Sequence, residues 1–160
     1  MEPSKADNAA ALIGFFILCF AIAGLGSWVT STSVDTWYAA LNKPSFNPPN
    51  WAFAPVWTVI YAMMAIAGWL VWRKSGLKPL FLDPGYYGLQ LVLNFGWSAT
   101  FFGAHAIGPA LVIINVLLLV VAFTTRDFYE VDKRAGLLFT PYLGWVTFAT
   151  ILNVQIWKLN

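Results

Sequence analysis

The segment GPALVIINVLLLVVAFTT, at residues 108–125, contains no charged side chain. Its length approaches the roughly 20 mostly apolar residues that a helix needs to cross a bilayer. In lipid, an uninterrupted segment of this kind can satisfy its backbone hydrogen-bonding groups only as a helix. Four further segments share this character, and they lie at residues 9–29, 51–72, 84–104 and 136–157. The pattern predicts an all-α integral membrane protein, a bundle of five transmembrane helices.

The composition supports a membrane protein and narrows its chemistry. The chain has 160 residues, of which 59% are hydrophobic and 10% charged, whereas soluble domains carry about 25% charged residues. We expect a single domain over residues 1–160, embedded in the lipid bilayer. A net charge of +2 without a basic motif argues against nucleic acid as a partner. With one cysteine, Cys19, and one histidine, His105, we predict no metal site and no obligatory cofactor.

Basic residues are distributed unequally between the two sides of the predicted membrane. With five spans, the N-terminus shares one side with the second and fourth connections, and this side holds seven of the nine basic residues. The other side holds only Lys43 and Lys158. By the positive-inside rule for bacterial inner membranes, the N-terminus then faces the cytoplasm and the C-terminus faces outside. The long first connection, residues 30–50, therefore faces outward.

This first connection is rich in proline and aromatic residues. Its three prolines restrict both their own φ and the residue before each of them, so residues 43–50 cannot be helical and should form a stiff strap. Pro55 is expected in the opening turn of the second helix, where a missing N–H costs least. The strap is either a rigid connector or a lid over a pocket. Its aromatic residues favour the lid, and they are Trp37, Tyr38, Phe46, Trp51 and Phe53.

Three tryptophans lie deep within predicted spans, and a buried indole N–H requires a partner. Offsets of three and four residues place each tryptophan on one helix face together with polar or small residues. These faces are Trp57, Tyr61, Met64 and Gly68 in the second segment, Gln90, Asn94, Trp97, Ser98 and Phe101 in the third, and Trp145, Ala149 and Leu152 in the fifth. Polar groups in a membrane face the bundle interior. The faces therefore either surround a common cavity, or polar groups such as Asn94, Ser98, Asn115 and Asn153 only hydrogen-bond between helices.

Charged and small residues add few candidates for chemistry. No Asp or Glu lies within a predicted span, so no proton relay is predicted. The remaining carboxylates are expected to be solvated loop charges, and they include Asp35, Asp83, Asp127, Glu130 and Asp132. His105 is either an interfacial polar residue or a haem ligand. The small pair Ala23 and Ser27 lets a helix approach closely, either within the bundle or in a dimer.

Three ordered motifs resemble those of the TspO/MBR family, the tryptophan-rich sensory and translocator proteins. The first is WYAALNKPSFNPPNWAFAPVWTVIY at residues 37–61. The other two lie in the third and fifth segments, at residues 93–94, 97, 101–103, 141–143, 145, 148–150 and 152–153. The resemblance covers nearly the whole chain.

The resemblance implies a five-helix bundle, often a homodimer, with a pocket that opens toward the first connection. It implies binding of tetrapyrroles such as protoporphyrin IX and haem, of isoquinoline- or benzodiazepine-like ligands and, in some members, of sterols. By position it assigns the pocket lining to Trp57, Asn94, Trp97, Ser98, Phe101, Trp145, Phe148 and Ala149. The first connection and the second helix face add Trp37, Tyr38, Trp51 and Tyr61. Residues 152–158 lack the tyrosine of the family's sterol motif, which argues against tight sterol binding.

Three functions are consistent with these features. The leading hypothesis is a membrane transporter or sensor that binds a tetrapyrrole. The second is an enzyme that degrades porphyrin with light and oxygen, in which Trp57 and Trp145, tied to this reaction by the resemblance, are the candidate catalytic residues. The third is a regulatory membrane scaffold whose pocket has no ligand.

Overall fold

The computed structural model describes residues 3–160, and every regular element within them is helical. The helices are α1 (Lys5–Ser31), α2 (Trp37–Ala40), α3 (Asn50–Ser75), α4 (Lys78–Phe81), α5 (Tyr86–Ser98), α6 (Ile107–Val131) and α7 (Lys133–Leu159). A π-helical turn, Ala99–Gly103, continues α5. Of these helices, α1, α3, α6 and α7 are long and apolar enough to cross a membrane. The all-α class is confirmed for the described residues, while the expected span at 84–104 is divided between α5 and the π turn.

Polar caps extend several helices beyond their apolar segments. The hydroxyl of Ser4 accepts a hydrogen bond from the backbone N–H of Asp7 at 3.1 Å, so α1 begins before the predicted residue 9. The carboxylate of Asp132 caps α7 in the same way through the N–H of Arg134, at 2.9 Å. At its C-terminus α6 continues past residue 125 to Val131. Asp127 and Glu130 therefore belong to the last turns of α6, not to a loop as expected.

Close backbone contacts set the start of α5. Gly85 has φ 70°, and a Cβ at this position would lie 3.0 Å from the carbonyl carbon and oxygen of Phe81. Only glycine tolerates both that dihedral and that contact. The helix therefore begins at Tyr86, after the short α4 that the apolar pattern did not predict. At the other end, the N–H of Ala104 donates to the carbonyl of Ala99 at 2.9 Å, which closes the π turn.

Short connections determine which helices are neighbours. Residues 104–106 join the π turn to α6, and α5 packs against α6, because so short a connection keeps consecutive helices side by side. Asp132 alone joins α6 to α7, and these two helices share the largest interface of the fold. Helix α1 packs against α3 and α5, and α3 packs against α7. The arrangement brings α1, α3, α5 and α7 around one space.

An aromatic cluster fills the end of the bundle at which α1 begins and α3 ends. Its centre is Tyr87, which is 1% exposed and contacts the rings of Phe15, Phe81, Phe128 and Phe139 at centroid distances of 5.6–6.3 Å. The Tyr87 hydroxyl donates to the carbonyl of Met64 at 3.0 Å. Cys19 is fully buried beside it, as expected for a small apolar residue. We call this region the packed end.

The expectation that Asp132 is a solvated loop charge is wrong. Its side chain is 3% exposed and pairs with the ammonium of Lys74 and the guanidinium of Arg134, each at 3.0 Å. The Arg134 guanidinium, and next the Lys74 ammonium, hold the pKa of this carboxyl well below its usual value. The residue was misjudged because the sequence shows its position between two segments but not the helix end that covers it. Asp132 thus ties the end of α3 to the junction between α6 and α7.

Hydrogen bonds within the chain hold the first connection in place. The Lys43 ammonium donates to the carbonyls of Tyr38, Ala39 and Leu41 at 2.9–3.1 Å, which satisfies the end of α2. The backbone of Asn42 exchanges two hydrogen bonds with the side chain of Asn160, at 2.9 and 3.0 Å. Residues 43–49 are not helical, as predicted, but Asn50, which was placed in the same strap, is the first residue of α3. The connection is fixed to the C-terminus.

Pro55 lies in the second turn of α3, not in its first. The helix begins at Asn50, directly after the extended Pro49. A proline this far into a helix removes one i to i−4 hydrogen bond. The backbone carbonyl of Trp51 therefore receives no hydrogen bond from residue 55.

Candidate ligand-binding cavity

A cavity of about 610 Å³ lies between α1, α3, α5 and α7, toward the first connection. Small-molecule sites typically occupy about 300–1,000 Å³. Its walls are mainly apolar and aromatic. At its mouth lie the start of α3 and five residues of the segment before it, which are Thr30, Ser31, Val34, Asp35 and Tyr38. One end of the bundle, the packed end, is thus filled by side chains, and the opposite half contains a cavity of ligand size.

Aromatic rings from α3 and α7 form one wall of the cavity. The rings of Trp57 and Trp145 lie 6.3 Å apart and are nearly perpendicular, at 87°. Phe53 and Phe148 contact Trp145 at 6.2 and 5.5 Å. On the α5 side, the ring of Trp97 stacks on Phe101 at 5.5 Å. A flat ligand can therefore stack on Trp57 or on Trp145 and meet the edge of the other ring, but it cannot stack on both.

A chain of buried hydrogen bonds closes the cavity on the side of the packed end. The hydroxyl of Tyr61 donates to Asn94 Oδ1, and Asn94 Nδ2 donates to the hydroxyl of Tyr142, both at 2.8 Å. The Tyr142 hydroxyl donates in turn to Gln90 Oε1 at 2.8 Å. Gln90 Nε2 ends the chain on the sulfur of Met64 at 3.2 Å. The polar side chains of α3, α5 and α7 thus satisfy one another, and we call this chain the polar layer.

Asn94 lines the cavity, as the resemblance implies, but its polar atoms are bonded to protein groups. Its side chain is 3% exposed, and its oxygen and its amide nitrogen both have partners in the polar layer. Trp97 is similar, because its indole N–H donates to Asn153 Oδ1 at 3.0 Å. Asn115 is different again: it is exposed and donates to the carbonyl of Leu111 in its own helix, so it links no helices. The helix faces that contain Trp57, Trp97 and Trp145 were expected either to surround a cavity or to hydrogen-bond between helices. They do both.

One polar group in the cavity wall lacks a partner. The indole nitrogen of Trp145 is buried and makes no hydrogen bond within residues 3–160. Leaving a buried donor unpaired costs about 1–3 kcal/mol. Because this nitrogen is buried against protein atoms, a ligand in the cavity would contact the ring of Trp145 and not its N–H.

The structure brings most of the sequence-predicted site residues together. Those that line the cavity are Tyr38, Trp51, Trp57, Tyr61, Asn94, Trp97, Ser98, Phe101, Trp145, Phe148 and Ala149. Trp37 is the exception, since it is absent from the wall. Its ring stacks on His105 at 4.3 Å and meets Phe101 at 5.4 Å. His105 also lies outside the wall, and this geometry does not support a role as a haem ligand.

The two halves of the first connection have different positions. Residues Thr30, Ser31, Val34, Asp35 and Tyr38 border the cavity, whereas no residue from 39 to 49 does. Tyr38 is 2% exposed and donates its hydroxyl to Asn47 Oδ1 at 2.7 Å, and burial raises its pKa to about 12. Phe46 contacts Phe148 at 6.2 Å, without lining the cavity itself. The proline segment therefore supports the wall, and the residues before it form the rim.

Sequence reasoning missed the contribution of α1. This helix supplies Phe20, Ala23, Gly24, Gly26, Ser27 and Thr30 to the cavity wall. Ala23 and Ser27 were assigned to helix packing or a dimer, but they face this space. Small residues at this spacing could have indicated a wall, but they are equally typical of close helix contact.

These features define a class of protein: a multi-pass, all-helical membrane protein with an aromatic cavity between its helices. The sequence model of the TspO/MBR family matches residues 15–158, and the chain belongs to this family. It is 41% identical to the tryptophan-rich protein TspO of Chlorobaculum tepidum, over 89% of this chain and 91% of that protein. It is 40% identical to the translocator protein of Homo sapiens, over 85% and 84% of the two chains. A tryptophan-rich sensory protein of Cereibacter sphaeroides is 38% identical, over 94% and 92%.

Proposed function

We propose that this protein binds a tetrapyrrole, of the protoporphyrin IX or haem type, in its aromatic cavity and acts as a membrane transporter or sensor. The observation that carries the proposal is a cavity of about 610 Å³ with a mainly apolar wall that includes the rings of Trp57, Trp97 and Trp145. The names of the relatives, translocator and sensory protein, agree with such a role. Isoquinoline-, benzodiazepine- or sterol-like ligands have the same flat, apolar character and would compete for the same cavity.

The physical basis is stacking and burial of apolar surface. Each Å² of apolar surface removed from water contributes about 25 cal/mol, and most of the wall is apolar. A macrocycle stacked on Trp57 would meet the edge of Trp145, since the two rings are perpendicular.

The test is a titration of purified protein with protoporphyrin IX, followed by quenching of tryptophan fluorescence and by porphyrin absorbance. Saturable one-site binding is expected. Trp145→Phe replaces the indole with a smaller ring and so removes stacking area, and we expect up to about tenfold weaker binding, corresponding to ~1.4 kcal/mol. Trp28→Phe is the matched control, because Trp28 is 69% exposed and lies outside the wall. Absence of saturable binding would refute the proposal and favour a regulatory scaffold.

The aromatic contacts also favour a second candidate, light- and oxygen-dependent breakdown of porphyrin. Trp57 contacts Trp145, Tyr61 and Tyr142 at centroid distances of 5.8–6.3 Å, so oxidisable rings lie next to one another at the site. Illumination of the complex in oxygenated buffer should then give faster porphyrin loss than with a double variant, Trp57→Phe and Trp145→Phe, at equal occupancy. Equal decay rates would exclude this activity.

We also propose that α5 and the π turn, residues 86–103, form a fifth span, that the N-terminus faces the cytoplasm, and that the protein is a homodimer. The fifth span is supported by its contact with α6 and by the absence of Asp, Glu, Lys and Arg from residues 86–103. Reporter fusions placed after residues 75 and 104 would report opposite sides of the membrane if the span exists, and the same side if it does not. The mass of the protein in detergent, measured by light scattering, tests the dimer.

A further inference from the structure

Below its mouth, the cavity reaches the protein surface between α1 and α3. The wall residues that α5, the π turn and α7 contribute are all buried or half-buried. On α1 and α3, by contrast, wall residues below the mouth are exposed, and they are Phe20, Gly24, Ser27, Ala54 and Thr58. A residue that lines a cavity and is also exposed marks a place where the cavity meets the surface. We call the gap bordered by these five residues the side opening.

Helical spacing shows that the side opening has one continuous edge on each helix. Phe20, Gly24 and Ser27 follow one another at offsets of four and three residues, so they share one face of α1. Ala54 and Thr58 are four residues apart and share one face of α3. The side opening therefore runs along both helices and is not an isolated hole.

Contacts of α1 explain why the gap lies on this side and in this half of the bundle. A Cβ on Gly26 would lie 3.6 Å from the hydroxyl oxygen of Ser98, so this face of α1 is close to α5. At the packed end, a Cβ on Gly68 would lie 2.9 Å from the ring of Phe15, so α1 is close to α3 there. Phe15 is 5% exposed, whereas Phe20, one and a half turns later, is 38% exposed. The contact between α1 and α3 is thus tight at the packed end and open beside the cavity.

The side opening faces hydrocarbon and not water. The exposed ring of Trp51, in the first turn of α3, is typical of the membrane–water interface. Thr58 lies seven residues further along α3, which corresponds to about 10 Å at a rise of about 1.5 Å per residue. Because the hydrocarbon core of a bilayer is about 30 Å thick, the opening extends well into it. The hydroxyl of Thr58 donates to the carbonyl of Ala54 at 2.7 Å, so this edge presents no free donor to the lipid.

The small side chains at the side opening leave room for a slender apolar group. A Cβ on Gly24 would meet nothing within 4 Å, and Ala54 opposite carries only a methyl group. Lipid tails are as apolar as any hydrocarbon chain that would pass through this gap, so such a chain keeps its apolar surroundings. At the mouth of the cavity the same chain would meet water, which is unfavourable.

We propose that the cavity takes ligands made of a flat ring and a long hydrocarbon tail, with the ring in the cavity and the tail passing between α1 and α3 into the lipid. This inference rests on the proposed function, because it concerns the same cavity, and it adds a ligand class: tetrapyrroles esterified with a long alkyl chain. A carboxylate that remains on the ring can stay at the mouth, in contact with water. The side opening also gives such ligands a route into the cavity from the bilayer.

Two probes with the same ring separate the tail from the macrocycle. They are the monomethyl and the monohexadecyl ester of protoporphyrin IX, which each retain one free carboxylate. Both are titrated against the full chain in lipid nanodiscs of one composition and concentration. The measured quantity is the ratio of the Kd of the hexadecyl ester to the Kd of the methyl ester. Partition of the tail into free lipid is the same for every variant, so it cancels when the ratios of two variants are compared.

The side opening is closed from each edge in turn. Both probes should bind the unaltered protein saturably, and Gly24→Phe should raise the ratio at least about fivefold, because the new ring occupies the path of the tail. Ala54→Phe should do the same from α3. Gly14→Phe is the control on α1, because Gly14 is exposed, has nothing within 4 Å of its Cβ position and does not line the cavity. Val59→Phe is the control on α3, because Val59 is 56% exposed and lies outside the wall. Neither control should change the ratio.

The outcomes distinguish this inference from the proposed function. If both esters bind but the ratio is the same in all variants, or rises equally in the controls, the tail does not use the side opening and the cavity proposal stands. Binding of the methyl ester alone to the unaltered protein also refutes the tail. If Gly24→Phe instead converts a dimer to a monomer in light scattering and leaves the ratio unchanged, a second copy covers this gap. If neither ester binds the unaltered protein saturably, the proposed function fails and this inference fails with it.

Discussion

The packed end and the cavity contain the same kinds of residue but have opposite internal structure. At the packed end, the ring of Tyr87 is surrounded by four other aromatic side chains and is 1% exposed. In the cavity, rings from α3, α5 and α7 leave about 610 Å³ between them. The difference comes largely from α1. Its first half inserts Phe15 into the packed end, whereas its second half presents Ala23, Gly24 and Gly26 to the cavity.

Glycines have different roles in the two regions. A Cβ on Gly68 would lie 2.7 Å from the end of the Tyr87 ring and 2.9 Å from Phe15, so this glycine is needed for close packing. A Cβ on Gly24 would meet nothing within 4 Å. Glycine at the packed end makes room for a ring, and glycine in the cavity wall leaves room for a ligand. The polar layer separates the two regions.

The largest expected effect comes from filling the packed end. Gly68→Leu forces a side chain against Tyr87, which cannot move because its hydroxyl is bonded to Met64 and its ring is enclosed. We expect a loss of about 3 kcal/mol in the free energy of unfolding, measured by denaturant titration in mixed micelles. Gly14→Leu is the control, since nothing lies within 4 Å of its Cβ position and it is exposed on α1. Equal stability of the two variants would contradict the comparison.

A smaller effect is expected from breaking the polar layer. Asn94→Leu leaves the hydroxyls of Tyr61 and Tyr142 without these partners, at a cost of about 2 kcal/mol. Asn115→Leu makes the same change at an exposed position that bonds only its own helix. It should be neutral or slightly stabilising in a bilayer or detergent. If both variants lose equal stability, the polar layer does not hold the helices together.

The smallest of the three effects concerns the ion pairs beyond the packed end. Asp132→Asn keeps the shape of the side chain but removes its charge, and we expect a loss of about 1 kcal/mol at neutral pH. Because the folded state lowers the pKa of Asp132, its contribution is complete above the pKa of the unfolded chain, about 3.9. The contribution is lost as the pH falls below that value. The stability difference between the two proteins should therefore shrink below about pH 4, and a constant difference would contradict the assignment.

The sequence predicted the helical segments well because lipid imposes a strong constraint on length and polarity. It placed helix ends poorly where polar caps extend a helix past its apolar part, as at Ser4 and Asp132. Similarly, α5 is not one regular helix over its predicted length, because the π turn depends on local backbone geometry that periodicity does not show.

The site was predictable in its aromatic part and not in its polar or small-residue part. Helical spacing placed Trp57 and Trp145 on faces that meet, and these rings are in contact. Spacing could not show that the side chain of Asn94 bonds to Tyr61 and Tyr142, because a hydrogen-bond partner depends on the neighbouring helix. Trp37 was grouped with the site because it lies in the same connection, yet it stacks on His105 instead. Asp35 was read as an ordinary loop charge, since its position at the rim appears only in three dimensions.

The central claim is that a flat ligand occupies the space between α1, α3, α5 and α7. The most direct test fills that space from α7. Ala149 lines the cavity, and Thr147, two residues earlier on the same helix, is exposed and does not. The Kd of protoporphyrin IX, measured by absorbance for Ala149→Trp and Thr147→Trp, should rise more than about tenfold in the first variant and stay unchanged in the second. Unaltered affinity in a folded Ala149→Trp protein would show that the ligand binds elsewhere and would contradict the account.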